Sequence, residues 1–294
     1  MSRAVEQKGL SLAHEVGVAQ LRPSPQAKAE EILCVTAIAK DRGSELRRTS
    51  ILSNLSLSVR RGEFVSLVGP SGCGKTTLLL CLAGLLPTNS GTINFNGQVV
   101  RNTLPGIGVV FQDYGRSLFP WKTNLDNVIF GMRRVETKSR KEKIQTAMQM
   151  LSDVGLRGFE RHYPWQVSGG MQQRVAIARA LAAESKLLLL DEPMAAIDAQ
   201  TRNEMQDLIL QLRTRFSQTV LLVTHDIEES IYMADRVCVL SSRPASIVTE
   251  IDVSLPYPRD QLRTREDARF LTMRHKILEL IRSQRQRNNT GGIE

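Results

Sequence analysis

The residues best equipped for chemistry fall in one stretch, Gly69-Pro70-Ser71-Gly72-Cys73-Gly74-Lys75-Thr76-Thr77, which meets every fixed position of the pattern G-x-x-x-x-G-K-[ST]. Glycines at 69, 72 and 74 allow backbone conformations that a Cβ forbids. Successive N–H groups can then turn inward around phosphate oxygens at the positive end of a helix. Lys75 reaches the β- and γ-phosphates in such a loop, and Thr76 offers its hydroxyl to Mg²⁺, which takes few protein ligands beside the phosphates. Cys73 fills a spacer position. A second centre is Asp191-Glu192-Pro193, two carboxylates at the end of the apolar run Lys186–Leu190. Buried carboxylates are costly unless a cation compensates, and a loop-held Mg²⁺ is the natural one. Asp191 reads as the metal-orienting carboxylate and Glu192 as the general base that polarises an attacking water. A helix N-cap pair after a core strand is the plainer alternative.

These groups need elements to aim them. Phe64–Val68 before the loop is a β-branched, apolar run of strand length, and Leu78–Ala83 after it suits a helix. Ile107–Phe111 is another short buried strand and delivers Gln112 at its end; Thr219–Val223 does the same for His225. Ligands of open α/β sheets lie beyond the carboxyl ends of the strands, so both side chains are placed to reach a nucleotide. Ahead of the loop, an apolar run from Ile32 and the alternating segment Ile51–Val59 read as antiparallel strands around a polar turn, Asp41–Thr49, and Gly91–Gly97 as a hairpin strand. Helical periodicity replaces strand signals from about 114 to 185, over Leu125–Met132, Lys138–Gly155 and Gly169–Ala183. Ala199–Phe216 is a further amphipathic helix, and Arg236–Leu240 and Ser246–Val253 read as closing strands. The division expected is an N-terminal mobile extension over 1–30, one α/β domain over 31–258, and a C-terminal helix with a basic tail over 259–294.

Composition excludes several classes. With 294 residues, 41% of them hydrophobic, the chain can bury a large core, and no apolar window is long enough to span a bilayer. Charges at Glu6, Lys8 and Glu15 interrupt what a signal peptide needs, so a cytosolic protein is expected. The four cysteines lack C-x-x-C spacing and read as buried, reduced thiols. A net charge of +9 fits nucleic acid, an anionic membrane surface or a nucleotide-binding protein with a basic tail, and does not choose among them.

Taken in order, the phosphate loop, Gln112, Val167-Ser168-Gly169-Gly170-Met171-Gln172-Gln173-Arg174, Leu190-Asp191-Glu192-Pro193, Asp198 and His225 resemble the nucleotide-binding subunits of ABC transporters. The resemblance covers roughly Ile32 to Pro258 and is carried above all by the Ser-Gly-Gly signature. It implies a P-loop NTPase fold: a RecA-like core with a mixed sheet, an antiparallel β subdomain and a helical insertion. It also implies ATP and Mg²⁺, and a head-to-tail dimer in which Ser168, Gly169 and Gly170 meet the γ-phosphate held by the other copy. Asp198 resembles the D-loop residue at that interface, His225 the switch histidine, and Gln112 the Q-loop glutamine that touches metal and water.

Met171 in the signature, Leu118-Phe119-Pro120-Trp121, Tyr163-Pro164-Trp165-Gln166 and Ser242-Arg243-Pro244 resemble the nitrate/sulfonate/taurine import branch. Relatives often place an adenine-stacking aromatic after the first strand, where this chain offers Lys40, Asp41 and Arg42. The Phe119-Pro120-Trp121 loop is either a cap on the helical subdomain or an exposed groove, and a Pro-Trp loop that cannot bury its backbone favours the groove. The branch implies an integral membrane permease as partner, an extracytoplasmic solute-binding protein behind it, a peripheral position on the cytoplasmic face, and no nucleic acid. The competing reading is an ABC-type ATPase in DNA repair or translation; such proteins resemble this one at the nucleotide motifs but carry long coiled coils or two cassettes, and neither pattern occurs here.

Overall fold

The computed structural model describes residues 30–43, 48–195 and 197–290, with side chains throughout except at 114, 116 and 285–290. The expected N-terminal extension lies outside the described residues but for Glu30. Along the chain come β1 (Glu31–Arg42), β2 (Thr49–Arg60), β3 (Phe64–Val68), α1 (Lys75–Leu82), β4 (Ser90–Phe95), β5 (Gln98–Val99) and β6 (Ile107–Val110). Four helices follow: α2 (Tyr114–Ser117), α3 (Asn124–Gly131), α4 (Arg140–Asp153) and α5 (Gly169–Ala182). The chain closes with β7 (Leu187–Asp191), α6 (Ala199–Phe216), β8 (Thr219–Thr224), α7 (Ile227–Met233), β9 (Arg236–Leu240), β10 (Ile247–Asp252), α8 (Arg263–Glu266) and α9 (Ala268–Thr290).

Two sheets result. One is antiparallel, in the order β2-β1-β4-β5; the other is mixed, in the order β10-β9-β3-β8-β7-β6, with only β10 antiparallel to its neighbour. Every residue of β3, β7, β8 and β9 is buried, because the mixed sheet is covered on both faces. That explains why their sequences are unbroken apolar runs rather than alternating ones. The period of two still divides them. Phe64, Val68, Leu188, Leu190, Val220 and Leu222 join the core shared with the helices, while Val65, Leu67, Leu187, Leu189, Leu221 and Val223 join the core shared with α1 and the antiparallel sheet. On α9, Phe270, Ile277 and Ile281 enter the helical core.

Register decides what stands at the carboxyl edge. Val68 pairs with Thr224, Asp191 with Val223 and Val110 with Leu190, so β3, β8, β7 and β6 end level. The chain leaves that edge at Gly69, at His225, at Glu192 and toward Gln112. Arg236 fastens the opposite end: it donates to both carboxylate oxygens of Glu63, at 2.8 and 3.1 Å, and to the carbonyl of Ser58.

Two local expectations need correction. The helix after the phosphate loop starts at Lys75, three residues before Leu78, because its cap is Gly74 at φ 122°, the sixth residue of the loop motif. Cys34 is half-buried, unlike Cys73, Cys81 and Cys238, since β1 lies in the sheet with an outward face; all four thiols are free.

Candidate functional site

The loop between β3 and α1 depends on its glycines for different reasons. Gly72 and Gly74 adopt φ of 75° and 122°, the left-handed region in which a side chain is strained. A Cβ on Gly74 would also stand 2.8 Å from the Ile51 side chain. Gly69 has no such dihedral; it is needed because a Cβ there would lie 3.0 Å from that of Leu240, which corrects the conformational role expected for it. Lys75 is buried and donates to the carbonyls of Gly69 (2.9 Å) and Pro70 (3.1 Å), so its ammonium lies across the loop. Arg243, from the β9–β10 connection, donates to the carbonyl of Gly72 at 2.7 Å and braces the loop from outside.

The carboxylates of β7 arrive beside this loop. Asp191 is buried and accepts from the Thr76 hydroxyl at 3.2 Å. Burial pushes its carboxyl above the ordinary range and Glu192 adds to that, against the Thr76 hydrogen bond and the charge of Lys75. Glu192 sits at φ 43°, a left-handed backbone that is uncommon for a residue with a side chain and marks a constrained turn at the end of β7. One carboxylate oxygen lies 3.8 Å from Lys75 Nζ and the other 2.9 Å from His225 Nδ1. Lys75, Thr76, Asp191, Glu192 and His225 therefore form one contiguous cluster. Gln112 is exposed at the end of β6, on the same sheet edge.

The signature residues stand apart from that cluster. Ser168 caps α5, its side chain accepting from Met171 N at 3.3 Å, and Ser168 and Gly169 are exposed. No hydrogen bond among the described residues joins Ser168, Gly169 or Gly170 to the phosphate loop. Asp198 caps α6 by accepting from Thr201 N at 2.9 Å, and it too is exposed. The first turns of α5 and α6 lie close together: a Cβ on Gly170 would come within 2.9 Å of the Thr201 methyl. Helix α5 is tied to the site elsewhere, by Gln173 donating to the carbonyl of Pro193 and by Arg179 donating to the carbonyl of Ser117 at 2.7 Å, just past Gln112. Sequence reading named Gln173 and Arg243 only as members of motifs, without these contacts, and missed the buried Glu229 behind His225, since a polar residue inside a helix or loop announces no partner until the chain is folded.

The aromatic loops face outward. Trp121 and Trp165 are 71% and 69% exposed; Trp121 packs on Phe119, and Trp165 stacks on Tyr163. The rings of Trp121 and Trp165 are therefore not buried as a cap on the helical subdomain, while Phe119 packs edge-on to Phe130 of α3. Asn127 accepts from the Phe119 N–H and donates to its carbonyl, so the loop is held although its rings are not covered.

A glycine-bent loop between a parallel strand and a helix, with a lysine across it and a carboxylate on the neighbouring strand end, defines a P-loop nucleoside triphosphatase. The family described as ABC transporter matches residues 52–195. The nitrate import ATP-binding protein NrtD of Synechocystis sp. is 43% identical over 238 residues, covering 79% of this chain and 88% of that one. The taurine import ATP-binding protein TauB of Escherichia coli is 41% identical over 239 residues, covering 80% and 92%. The aliphatic sulfonates import ATP-binding protein SsuB of Bacillus licheniformis is 43% identical over 234 residues, covering 79% and 87%. Among solved structures, the dimeric post-hydrolysis state of the ATP-binding cassette MJ0796, bound to ADP and Pi, superposes with a TM-score of 0.66 at 31% identity, covering 75% of this chain and 98% of that one. The chain belongs to the ABC transporter ATP-binding family and is an ATPase.

Proposed function

We propose that two copies of this chain hydrolyse MgATP across a shared interface and energise a membrane permease that imports a small anionic or sulfonate-type solute. The observation that carries the dimer is the separation of two half-sites: Lys75, Glu192 and His225 cluster together, while Ser168 and Gly169 are exposed at the N-terminus of α5, which Gly170 continues, with no hydrogen bond among the described residues to the phosphate loop. A helix N-terminus favours anions, so the partner's signature closes over the γ-phosphate.

Mg²⁺ fits the residues present. Asp191 is a buried carboxylate hydrogen-bonded to the Thr76 hydroxyl, and no group of three or more His, Cys, Asp or Glu residues among those described forms a dedicated cage. Such a site suits a cation that relies on phosphate oxygens and water. Thr76, Asp191 and Gln112 would hold it, where it would neutralise charge on the β- and γ-phosphates.

Within this frame the chain's own groups divide the work. Backbone N–H groups of Gly72 to Thr77 cradle the phosphates, with Pro70, Ser71 and Cys73 shaping the turn. Lys75 shifts from carbonyls to phosphate oxygens. Glu192 takes a proton from water as the water oxygen bonds to the γ-phosphorus, and the bond from that phosphorus to the β–γ bridging oxygen breaks to give ADP and phosphate. His225 holds Glu192 through Nδ1 and senses the γ-phosphate. Asp198 and Gln112 report the event to the second copy and to the permease.

Importer names among the relatives support the transport reading, and among the described residues no helix is long and apolar enough to cross a membrane, which is consistent with a separate permease and a peripheral position at the cytoplasmic face. Glu192→Gln tests the chemistry. ATP binding should persist, hydrolysis should fall roughly 10²–10⁴-fold, and gel filtration with MgATP should show a dimer. Native turnover, or a strictly monomeric variant with and without the permease, overturns the reading.

A further inference from the structure

Behind His225 the structure buries a carboxylate that hydrolysis as described does not use. Glu229, on α7, is 3% exposed and lines the same small cavity as Glu192, Arg202, Thr224, His225 and Asp226. Its neighbours come from three elements. Thr224, the last residue of β8, offers its hydroxyl; α6 brings Arg202 and Gln206; and Asp226, the cap of α7, adds a like charge. Gln206 Oε1 accepts from Arg265, while its amide nitrogen is buried with no hydrogen-bond partner and stands where it favours an ionised Glu229. Glu228, the other acid of α7, is already paired with Arg265 and Arg274 at 2.9 Å each and so does not compete for Arg202.

Arg202 is the link to the dimer face. It donates to the carbonyl of Ile197 at 3.3 Å, beside the Asp198 cap, and stands 3.9 Å from Asp226, next to His225. We propose that Glu229 is a positioning residue for hydrolysis: its carboxylate holds the turn carrying His225 to α6, the helix capped by Asp198, so that interface contact and the Glu192–His225 pair stay in register. This rests on reading Glu192 and His225 as the hydrolytic pair.

The chemistry of the carboxyl makes the link pH-sensitive. Burial is the main cause raising Glu229 to about 7, with Asp226 adding and Thr224, Arg202 and Gln206 opposing. All three opposing groups favour the ionised form, so protonation slackens the hold and turnover falls on the acid side. Stability runs the other way. A carboxyl whose pKa is raised by folding destabilises the fold as pH climbs from its unfolded value through the folded one.

The experiment is steady-state ATPase activity of the full chain across pH, for the native protein, Glu229→Gln, Glu229→Asp and Arg202→Gln, with melting curves for each. Native kcat should lose activity on the acid side with a midpoint near 7. Glu229→Gln should abolish that limb and lower kcat roughly tenfold with KM for ATP nearly unchanged, while melting above the native protein at alkaline pH. Glu229→Asp should recover part of kcat, and Arg202→Gln should move the limb to higher pH. A limb retained in Glu229→Gln, native kcat in that variant, or parallel losses of kcat, KM and melting temperature overturns the proposal. Failure of the underlying reading is distinct: it appears as native turnover in Glu192→Gln.

Discussion

At the scale of single residues, the site is a set of short-range contacts that a nucleotide must rearrange. Lys75 spends its donors on two loop carbonyls, and Arg243 holds a third, that of Gly72. The Arg243 contact fixes the orientation of the Gly72 carbonyl, and with it the peptide whose N–H belongs to Cys73. Arg243→Ala should therefore raise KM for ATP about threefold to tenfold, the worth of roughly one hydrogen bond, with kcat little changed in a steady-state assay; a KM within error of native removes Arg243 from that role. Lys75, Thr76, Asp191 and Glu192 were legible because motif spacing ties residue type to chemistry. Arg243 and Glu229 were not, since their partners lie 171 positions away in one case and on a separate helix in the other.

Among elements, the informative feature is the level ending of four parallel strands, which turns four distant stretches of sequence into one row. Strand identity was readable from apolar runs, and the ends of β7 and β8 fell within a residue of expectation. Their order was not, because β3 lies between β9 and β8, and pairing across so long a separation leaves no local signal. Arg236 shows what such pairing requires. It is buried with Glu63, each side chain 9% exposed, and it also reaches Ser58 and Glu250. Arg236→Ala should lower stability to urea by about 3–5 kcal/mol, since it strands a buried carboxylate. A loss below about 1 kcal/mol would show that water replaces the guanidinium. The glycines of the phosphate loop teach the same distinction: Gly72 and Gly74 are fixed by dihedral angle, which a motif implies, and Gly69 by the approach of Leu240, which it does not.

For the whole molecule, the half-sites make a complementation experiment decisive. A Lys75→Ala protein keeps its signature, and a Gly170→Asp protein keeps its phosphate loop. Mixed together, they should recover turnover that neither has alone, because one composite site per mixed pair is intact; two inactive proteins that stay inactive on mixing argue against the shared interface. The signature's place at the free end of α5 was expected from the family resemblance, whereas its contact with Thr201 at the head of α6 emerged only from the folded chain.

The two tryptophans of the chain, Trp121 and Trp165, both lie on the outward aromatic loops and not around the phosphate loop. Indole emission from this protein is thus a built-in, label-free reporter of these two loops. Solvent quenchers will read the exposure of these two rings directly, and if the proposed permease covers them, adding it in detergent should shift their emission to the blue; unchanged emission places its contact elsewhere.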